Sequence, residues 1–490
     1  MNLDELLLNV NDVRIDSLVC QSDIQSDADK RFYSGQGYHI PLTEKEFRDI
    51  FPVDPACVWY TPSISTTSLY LNKETLAAAQ FPIDLLASGV YPNIDGFVAA
   101  LKSQEAKAAD NNFISSILAL PDALRMDYFK LLVDKKGASV PELYELFFSF
   151  YTLSDYGFNN IDKSSLDAIL KAKTDKDREK TREMLQGLPE QVRIYRGGNT
   201  ASTPYSEAYS WSLDINVANF FACRRGTGDG YIVEAKVAKK DIIEAFLEDQ
   251  GEQEIIVDPS KIEVLREVPI RGLNFLQETL PAIAPMYHEF KGKLETLCFA
   301  QESEDHGPGH EARVLLLALT LSHMLDLPLR DRKILASAAI YHDVQRVNDC
   351  DDTAHGRAGR EYYRATAEAP DPLVEFLCEY HCLPDEAGYR EIESNRKLSK
   401  SRSRSKLLFD IFKDADALDR VRFGIKSLDI NQLRLPVSKE LSLIARLYLE
   451  QVKIKVQKRE LQPSLENQIK SAASLVNNTT RDKTKVVPIR

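Results

Sequence analysis

The apolar run KILASAAIY delivers His342 and Asp343 at its inner end, and this placement constrains the chain more than any other feature. Small and branched apolar residues at that density mark a buried helix. An imidazole and a carboxylate at the end of such a helix need a partner, because unpaired polar groups are costly inside a protein. The chain has only 8 histidines in 490 residues, and His310, His342, His355 and His381 form one ordered series around this pair. Asp416 follows in FKDADALDR, on a helical pattern whose apolar face is Leu407, Leu408, Phe412, Ala415 and Leu418. Three helices can converge His310, His342, Asp343 and Asp416 from long sequence separations, as buried helical metal sites do. A histidine pair with two carboxylates holds a divalent cation and lowers the pKa of its water. Asp414 is the neighbouring alternative to Asp416, and Arg346, one helical turn after His342, suits neutralisation of a phosphate. The bland alternative is a helical domain whose histidines are satisfied core residues; His323 in LSHML, with no carboxylate nearby, is read that way.

At 490 residues the chain exceeds one ordinary core, so several domains are expected. Residues 1–112 mix Gly, Pro and Asp turns with short apolar segments and are read as an uncharacterised region, a candidate target-binding module. SISTTS at 63–68 reads as a turn or as the start of a helix near Asn72. Helical spacing runs through 113–150 and again through 164–185. Beta-branched runs at 192–196, 230–237, 254–257 and 262–268 predict strands, with helical segments near 215–222 and 240–245. Residues 271–288 read as a connector with two prolines. Beyond it the pattern is almost wholly helical, over 312–325, 331–341, 356–366, 372–381, 407–420 and 439–458. The polar stretch from 463 to 490 reads as a weakly ordered tail.

A net charge of −12 argues against nonspecific nucleic-acid binding. The acidic start MNLDELLLNVNDVRID is too short in its apolar part for a signal peptide or a membrane span. Seven cysteines without a CxxC pair form neither a disulfide framework nor a structural zinc pattern, and Cys378 and Cys382 read as small apolar groups. A reducing cytoplasm and no membrane are the expectation.

The strand-rich stretch carries a second polar set. Arg196 ends the strand VRIYR beside Gly197 and Gly198, where an arginine can reach a phosphate. In YSWSLDINVANFFA, Ser210 and Ser212 alternate with Trp211 and share one strand face. Ser212 is a candidate N-cap for the next helix with Asp214 in its first turn, and Leu213, Val217, Phe220 and Phe221 make its expected buried face. Glu252 and Glu254, one residue apart, share a face at the entry to the strand EIIV.

Two family resemblances follow from these residues. The ordered set His310, AIYHDVQR, DDTAHG, EYH and KDADALDR resembles the HD-domain metal-dependent phosphohydrolases over roughly 289–462. That resemblance implies an all-α fold with His310, His342, Asp343 and Asp416 on one metal, Asp343 in the catalytic set, and His355 and His381 as further ligands used by some members. Mn, Mg, Fe, Co, Ni and Zn all suit such donors, and the implied substrate is a phosphorylated small molecule or nucleotide. The set Arg196, SWS at 210–212 and GEQE at 251–254 resembles the arginine-serine-glutamate class of mono-ADP-ribosyltransferases over roughly 190–270, with the helices from 113 as the lobe that often precedes the sheet. That resemblance implies a central α+β fold and NAD as substrate. Arg196, Gly197, Ser210, Ser212, Phe220 and Glu254 then bind NAD, while Glu254, Glu252, Ser210 and Arg196 form the catalytic set. Tyr195, Trp211, Phe220 and Tyr231 are candidates to pack around nicotinamide. Trp211 stands where the family usually has a threonine. Glu252 points to a macromolecular acceptor, such as a protein arginine. The expectation is a multidomain, bifunctional enzyme; the alternatives are an NAD glycohydrolase with an HD hydrolase, or a transferase regulated by a nucleotide-sensing HD-like domain.

Overall fold

The computed structural model describes residues 13–450 apart from 63–67, 89–93, 155–160, 201, 225, 248–250, 302 and 351–352. The chain divides into two compact units, Met1–Gln186 and Gly187–Arg490. Compactness therefore places the helices after 113 in the first unit, and the strand-rich stretch with the C-terminal helices in the second. The expected tail at 463–490 lies outside the described residues.

The first unit holds a short antiparallel sheet in the order β1 (Val19–Cys20), β2 (Val58–Tyr60), β3 (Ser68–Leu71), β4 (Ala78–Gln80). Its helices start where the sequence offers caps: Ser26, Thr43 and Thr174 each form a reciprocal capping box with an acidic residue three positions on. Phe129, Phe147 and Phe150 pack together under Asp122–Lys136 and Leu143–Tyr151. No helix begins at Asn72, contrary to expectation. β3 ends at Leu71, and the Asn72 side chain accepts from the amides of Glu74 and Thr75, closing a turn instead.

The second unit contains a six-stranded antiparallel sheet ordered β10-β7-β5-β6-β9-β8. Its strands are β5 (Gln191–Asn199), β6 (Ser210–Ser212), β7 (Gly230–Ala238), β8 (Ile242–Phe246), β9 (Glu254–Val257) and β10 (Glu263–Ile270). In β5 the branched residues Val192 and Ile194 are buried while Arg193 faces out, the alternation a one-sided sheet demands. The helix expected near 240–245 is absent. A single 3-10 turn, Lys239–Asp241, leads into β8, where IIEAF pairs with β9, so branched residues beside a partner strand outweigh local helical spacing.

After the sheet, every regular element among the described residues is helical: α2 (Leu273–Leu294), α3 (Pro308–Met324), α4 (Leu329–Tyr341), α5 (His355–Thr366), α6 (Pro372–Tyr380), α7 (Asp385–Ser394) and α8 (Arg402–Leu418); α1 (Ile215–Cys223) lies earlier, against the sheet. The expected connector is α2, with Pro281 and Pro285 inside it. Its buried residues Leu276, Thr279, Ile283, Tyr287, Phe290 and Leu294 recur at three and four, and that packing offsets the amides the prolines lack. α7 was not expected. The last predicted helix, 439–458, is described as a short helix Pro436–Lys439 and helical residues 442–450, with the remainder outside the described residues.

Sheet and helices share one core. Ala218 and Ala222 of α1, Ile232 of β7 and Ile270 of β10 belong to the same buried cluster as Leu315, Ile340 and Phe412. No helix among the described residues is long and apolar enough to cross a membrane.

Candidate functional site

Helix ends build the first site. Pro308 starts α3, which sets His310 in its first turn; His342 caps the C-terminus of α4; His355 opens α5; His381 caps α6; and Asp416 lies in the last turn of α8. Gly359 lets α5 approach, since a Cβ there would stand 2.5 Å from the His342 carbonyl oxygen. His310, His342 and Asp343 are 1%, 0% and 2% exposed, so water cannot satisfy them.

The tautomers can be read from the partners. His310 Nδ1 lies 2.7 Å from Asp419 Oδ2, and His342 Nδ1 lies 3.1 Å from the Ala339 carbonyl oxygen. Carboxylate and carbonyl oxygens only accept, so both Nδ1 atoms carry the proton and donate. The two Nε2 atoms then face each other at 3.2 Å, lone pair to lone pair unless a cation intervenes. Asp416 Oδ1 is 3.3 Å from His310 Nε2 and 4.0 Å from His342 Nε2, and Asp343 Oδ2 is 3.9 Å from His310 Nε2. Donor atoms of His310, His342 and Asp343 all fall within 4.8 Å of one another. The arrangement suits a divalent cation; without one, a proton on His310 serves.

The electrostatics agree. Burial pushes His342 down to about 3 and keeps its imidazole neutral, as a ligand must be. Burial opposes charge on His310 as well, but hydrogen bonds to Asp416 and Asp419 outweigh it and raise its pKa. Burial likewise opposes ionisation of Asp343, yet the surrounding histidines hold it well below the usual carboxylate range.

The structure also separates the alternatives. Asp414 accepts from the Arg434 and Leu435 amides and from the Arg434 guanidinium, away from the histidines, while Asp416 faces them. Arg346 lies 3.4 Å from Asp343. His355 and His381 form a second pair, with Nε2 atoms 3.1 Å apart and each within 3.4 Å of Asp343 Oδ1.

Sequence reasoning missed the groups behind these histidines. Asp419 receives His310 and both the Nε and Nη2 atoms of Arg313, at 2.6 and 2.9 Å. Its spacing of three from Asp416 on one helical face was the available signal. Glu311 is fully buried, and neither of its carboxylate oxygens has a hydrogen-bond partner among the described residues. Burial and the nearby Asp343 raise its pKa well above normal.

The second polar set sits on the sheet of the same unit. β6 lies between β5 and β9, pairing Ser212 with Tyr195 on one side and with Glu254 on the other. Ser210 Oγ donates to Glu254 Oε1, and Arg196 donates to the carbonyl oxygens of Ser210 and Thr203 at 2.7 and 3.3 Å. Arg196, Ser210 and Glu254 thus form one connected group. Trp211 points the other way, buried, its indole donating to the Ala208 carbonyl.

Several expectations change here. Asp214, not Ser212, caps α1, accepting from the Asn216 amide; the Ser212 hydroxyl donates to the Glu252 carbonyl and accepts from the Asp214 amide. The buried face of α1 is Ile215, Ala218, Asn219, Ala222 and Cys223, whereas Leu213, Val217, Phe220 and Phe221 are half-exposed. Gly197 explains this choice: a Cβ there would stand 1.6 Å from the Ala218 carbonyl oxygen, so the contact needs small residues. Gly197 therefore packs α1 against β5. Glu252 precedes β9 in a turn, and the left-handed φ of 46° at Gln253 breaks the pleat between it and Glu254. The two glutamates do not share a strand face.

No family model, curated protein or solved structure matches the chain.

Proposed function

We propose that the second unit is a metal-dependent phosphohydrolase whose cation is held by His310, His342, Asp343 and Asp416. The observation that carries this reading is the pair of imidazole Nε2 atoms facing each other at 3.2 Å with both Nδ1 protons committed elsewhere. What a divalent cation supplies there is Lewis-acid polarisation of a phosphoryl oxygen and a more acidic water. The chain's own groups do the rest. Asp419 and the Ala339 carbonyl hold the imidazoles in the ligating tautomer, and Arg346 offers positive charge beside Asp343 for a phosphate. The substrate class is a phosphorylated small molecule or nucleotide. The test is release of phosphate or nucleoside from a panel of nucleotides by metal-loaded full-length protein. Turnover in wild type and its loss in His342→Ala/Asp343→Ala supports the reading. Nucleotide binding without turnover in fully metallated protein supports a sensing role instead.

A second activity is proposed for the sheet, motivated by the Ser210–Glu254 hydrogen bond and the Arg196 contacts to Ser210 and Thr203. NAD would be the substrate. Departure of nicotinamide leaves an oxocarbenium-like ribose, and a carboxylate held by a neighbouring hydroxyl is suited to stabilise it. Arg196 makes backbone contacts that position the 203–210 segment. The acceptor is proposed to be a macromolecule, such as a protein arginine, although Glu252 now enters from a turn and not from the strand. Incubation of the protein with NAD and a cell extract should release nicotinamide and label a macromolecule, and Glu254→Gln should abolish both. Nicotinamide release without label points to NAD hydrolysis, and no release contradicts the proposal.

A further inference from the structure

Residues 396–406, RKLSKSRSRSK, hold six lysines and arginines and no carboxylate, in a chain whose net charge is −12. The fold divides these cations. Arg404 pairs with Asp331, and Lys406 Nζ lies 4.5 Å from the centre of the Tyr389 ring, so both serve to hold α8 in place. Arg396, Lys397 and Lys400 are exposed, and no carboxylate among the described residues pairs with them.

The backbone that carries these three is anchored. Leu398 between them is buried, and its carbonyl accepts from Ser405 Oγ at 3.0 Å. Asn395 takes the Lys397 amide on its side chain at 3.0 Å and the Ser399 amide on its carbonyl at 2.9 Å. A loop held this way presents its cations with little further ordering to do on binding.

The three cations form one wall of a cavity of about 530 Å³. Arg360 and Arg364 of α5 and Phe376 and Tyr380 of α6 line much of the rest, with the two rings 5.0 Å apart. Three carboxylates also face it, and their partners decide the sign of the free charge. Glu379 is paired with Arg360 and Glu375 with Arg364, while Glu391 accepts from Asn395 Nδ2 at 2.8 Å. Glu391 is thus left against three unpaired cations, and the excess is positive. None of His310, His342, Asp343, His355, His381 and Asp416 lines this cavity.

We propose that the cavity binds a small oligophosphate, whose clustered phosphates meet Arg396, Lys397 and Lys400 and whose remaining part packs on Tyr380. Its volume falls in the range of small-molecule sites, roughly 300–1,000 Å³. An arginine fork beside two lysine point charges suits phosphate oxygens. A single carboxylate would leave most of the excess charge unanswered, whereas several linked phosphates match it. The site is separate from the proposed cation centre and does not rest on it.

Inorganic triphosphate is the probe, titrated calorimetrically into metal-stripped full-length protein so that neither a bound cation nor turnover contributes. One equivalent should bind, with affinity falling as salt rises. Arg396→Ala/Lys397→Ala/Lys400→Ala should weaken it by about 10-fold or more through the lost charge-assisted contacts. Lys171→Ala/Lys176→Ala/Lys180→Ala removes the same charge from exposed positions of the first unit and should leave the affinity unchanged. His310→Ala/His342→Ala should bind triphosphate like wild type, whatever becomes of its phosphohydrolase activity, which separates this proposal from the cation reading. No binding in wild type, equal weakening in the two triple variants, or loss of binding in His310→Ala/His342→Ala overturns the proposal. Binding of a single-stranded oligonucleotide without binding of triphosphate also overturns it, since the basic loop would then be a nucleic-acid surface.

Discussion

Asp419 shows how much of the candidate centre lies one bond behind its ligands. It takes no position facing the paired Nε2 atoms, yet its carboxylate fixes the His310 tautomer and gathers Arg313 and Arg422. Asp419→Asn should lower divalent-cation affinity by about 10- to 100-fold, the usual effect of such outer partners, measurable by calorimetric titration. Gly197→Ala should destabilise the second unit by ~1–3 kcal/mol or more, because the new methyl overlaps a backbone oxygen of α1; thermal unfolding checks this. The clustered histidines were legible because imidazoles are rare in this chain and His342 ends an apolar run. Asp416 was preferred over Asp414 from the sequence, and the Arg434 contacts of Asp414 set that residue away from the histidines. Glu311 was not legible, because a glutamate in a helix reads as surface until its burial is seen.

At the scale of elements, α1 is the instructive case. Its sequence offers two apolar stripes, and the larger side chains suggested the wrong one. Burial went to the alanines because a glycine strand approaches too closely for anything larger. The half-exposed stripe meets the segment after Asp419 instead: Lys426 stands over the Phe220 ring, and the Asn216 side chain donates to Asp429 and accepts from the Ile430 amide, both at 2.9 Å. Asn216→Ala should cost about 1–3 kcal/mol through the partners it strands, seen as a lower denaturation midpoint. The strands at 192–196 and 230–237 were legible from branched residues in alternation, whereas β8 needed its partner β9 to become a strand. Asp385 ties α7 to α8 through Lys413 and to the segment after α8 through Arg434. Burial opposes its charge, but those two cations hold its pKa below the usual value. A depressed carboxylate stabilises the folded state above its unfolded pKa, so this contribution is lost as pH falls below about 4. Asp385→Asn should flatten that acid limb of an unfolding profile.

At the scale of the molecule, the chain partitions at 186/187, and the sheet and the C-terminal helices share one buried core. Composition and periodicity separated strand-rich from helical sequence, but not where cores close, because α1, β7 and β10 bury residues against helices up to two hundred positions away. Division of the chain after residue 270 should therefore cost the sheet and the C-terminal helices their native thermal transition, while the Met1–Gln186 unit keeps its own. The proposed cation lies between the facing imidazoles of His310 and His342. Calorimetric titration of metal-stripped, full-length protein with manganese tests it most directly. Saturable binding in wild type and in Glu254→Gln, and its loss in His310→Ala/His342→Ala, is the predicted result; no binding in wild type, or unchanged binding in the double variant, would contradict it.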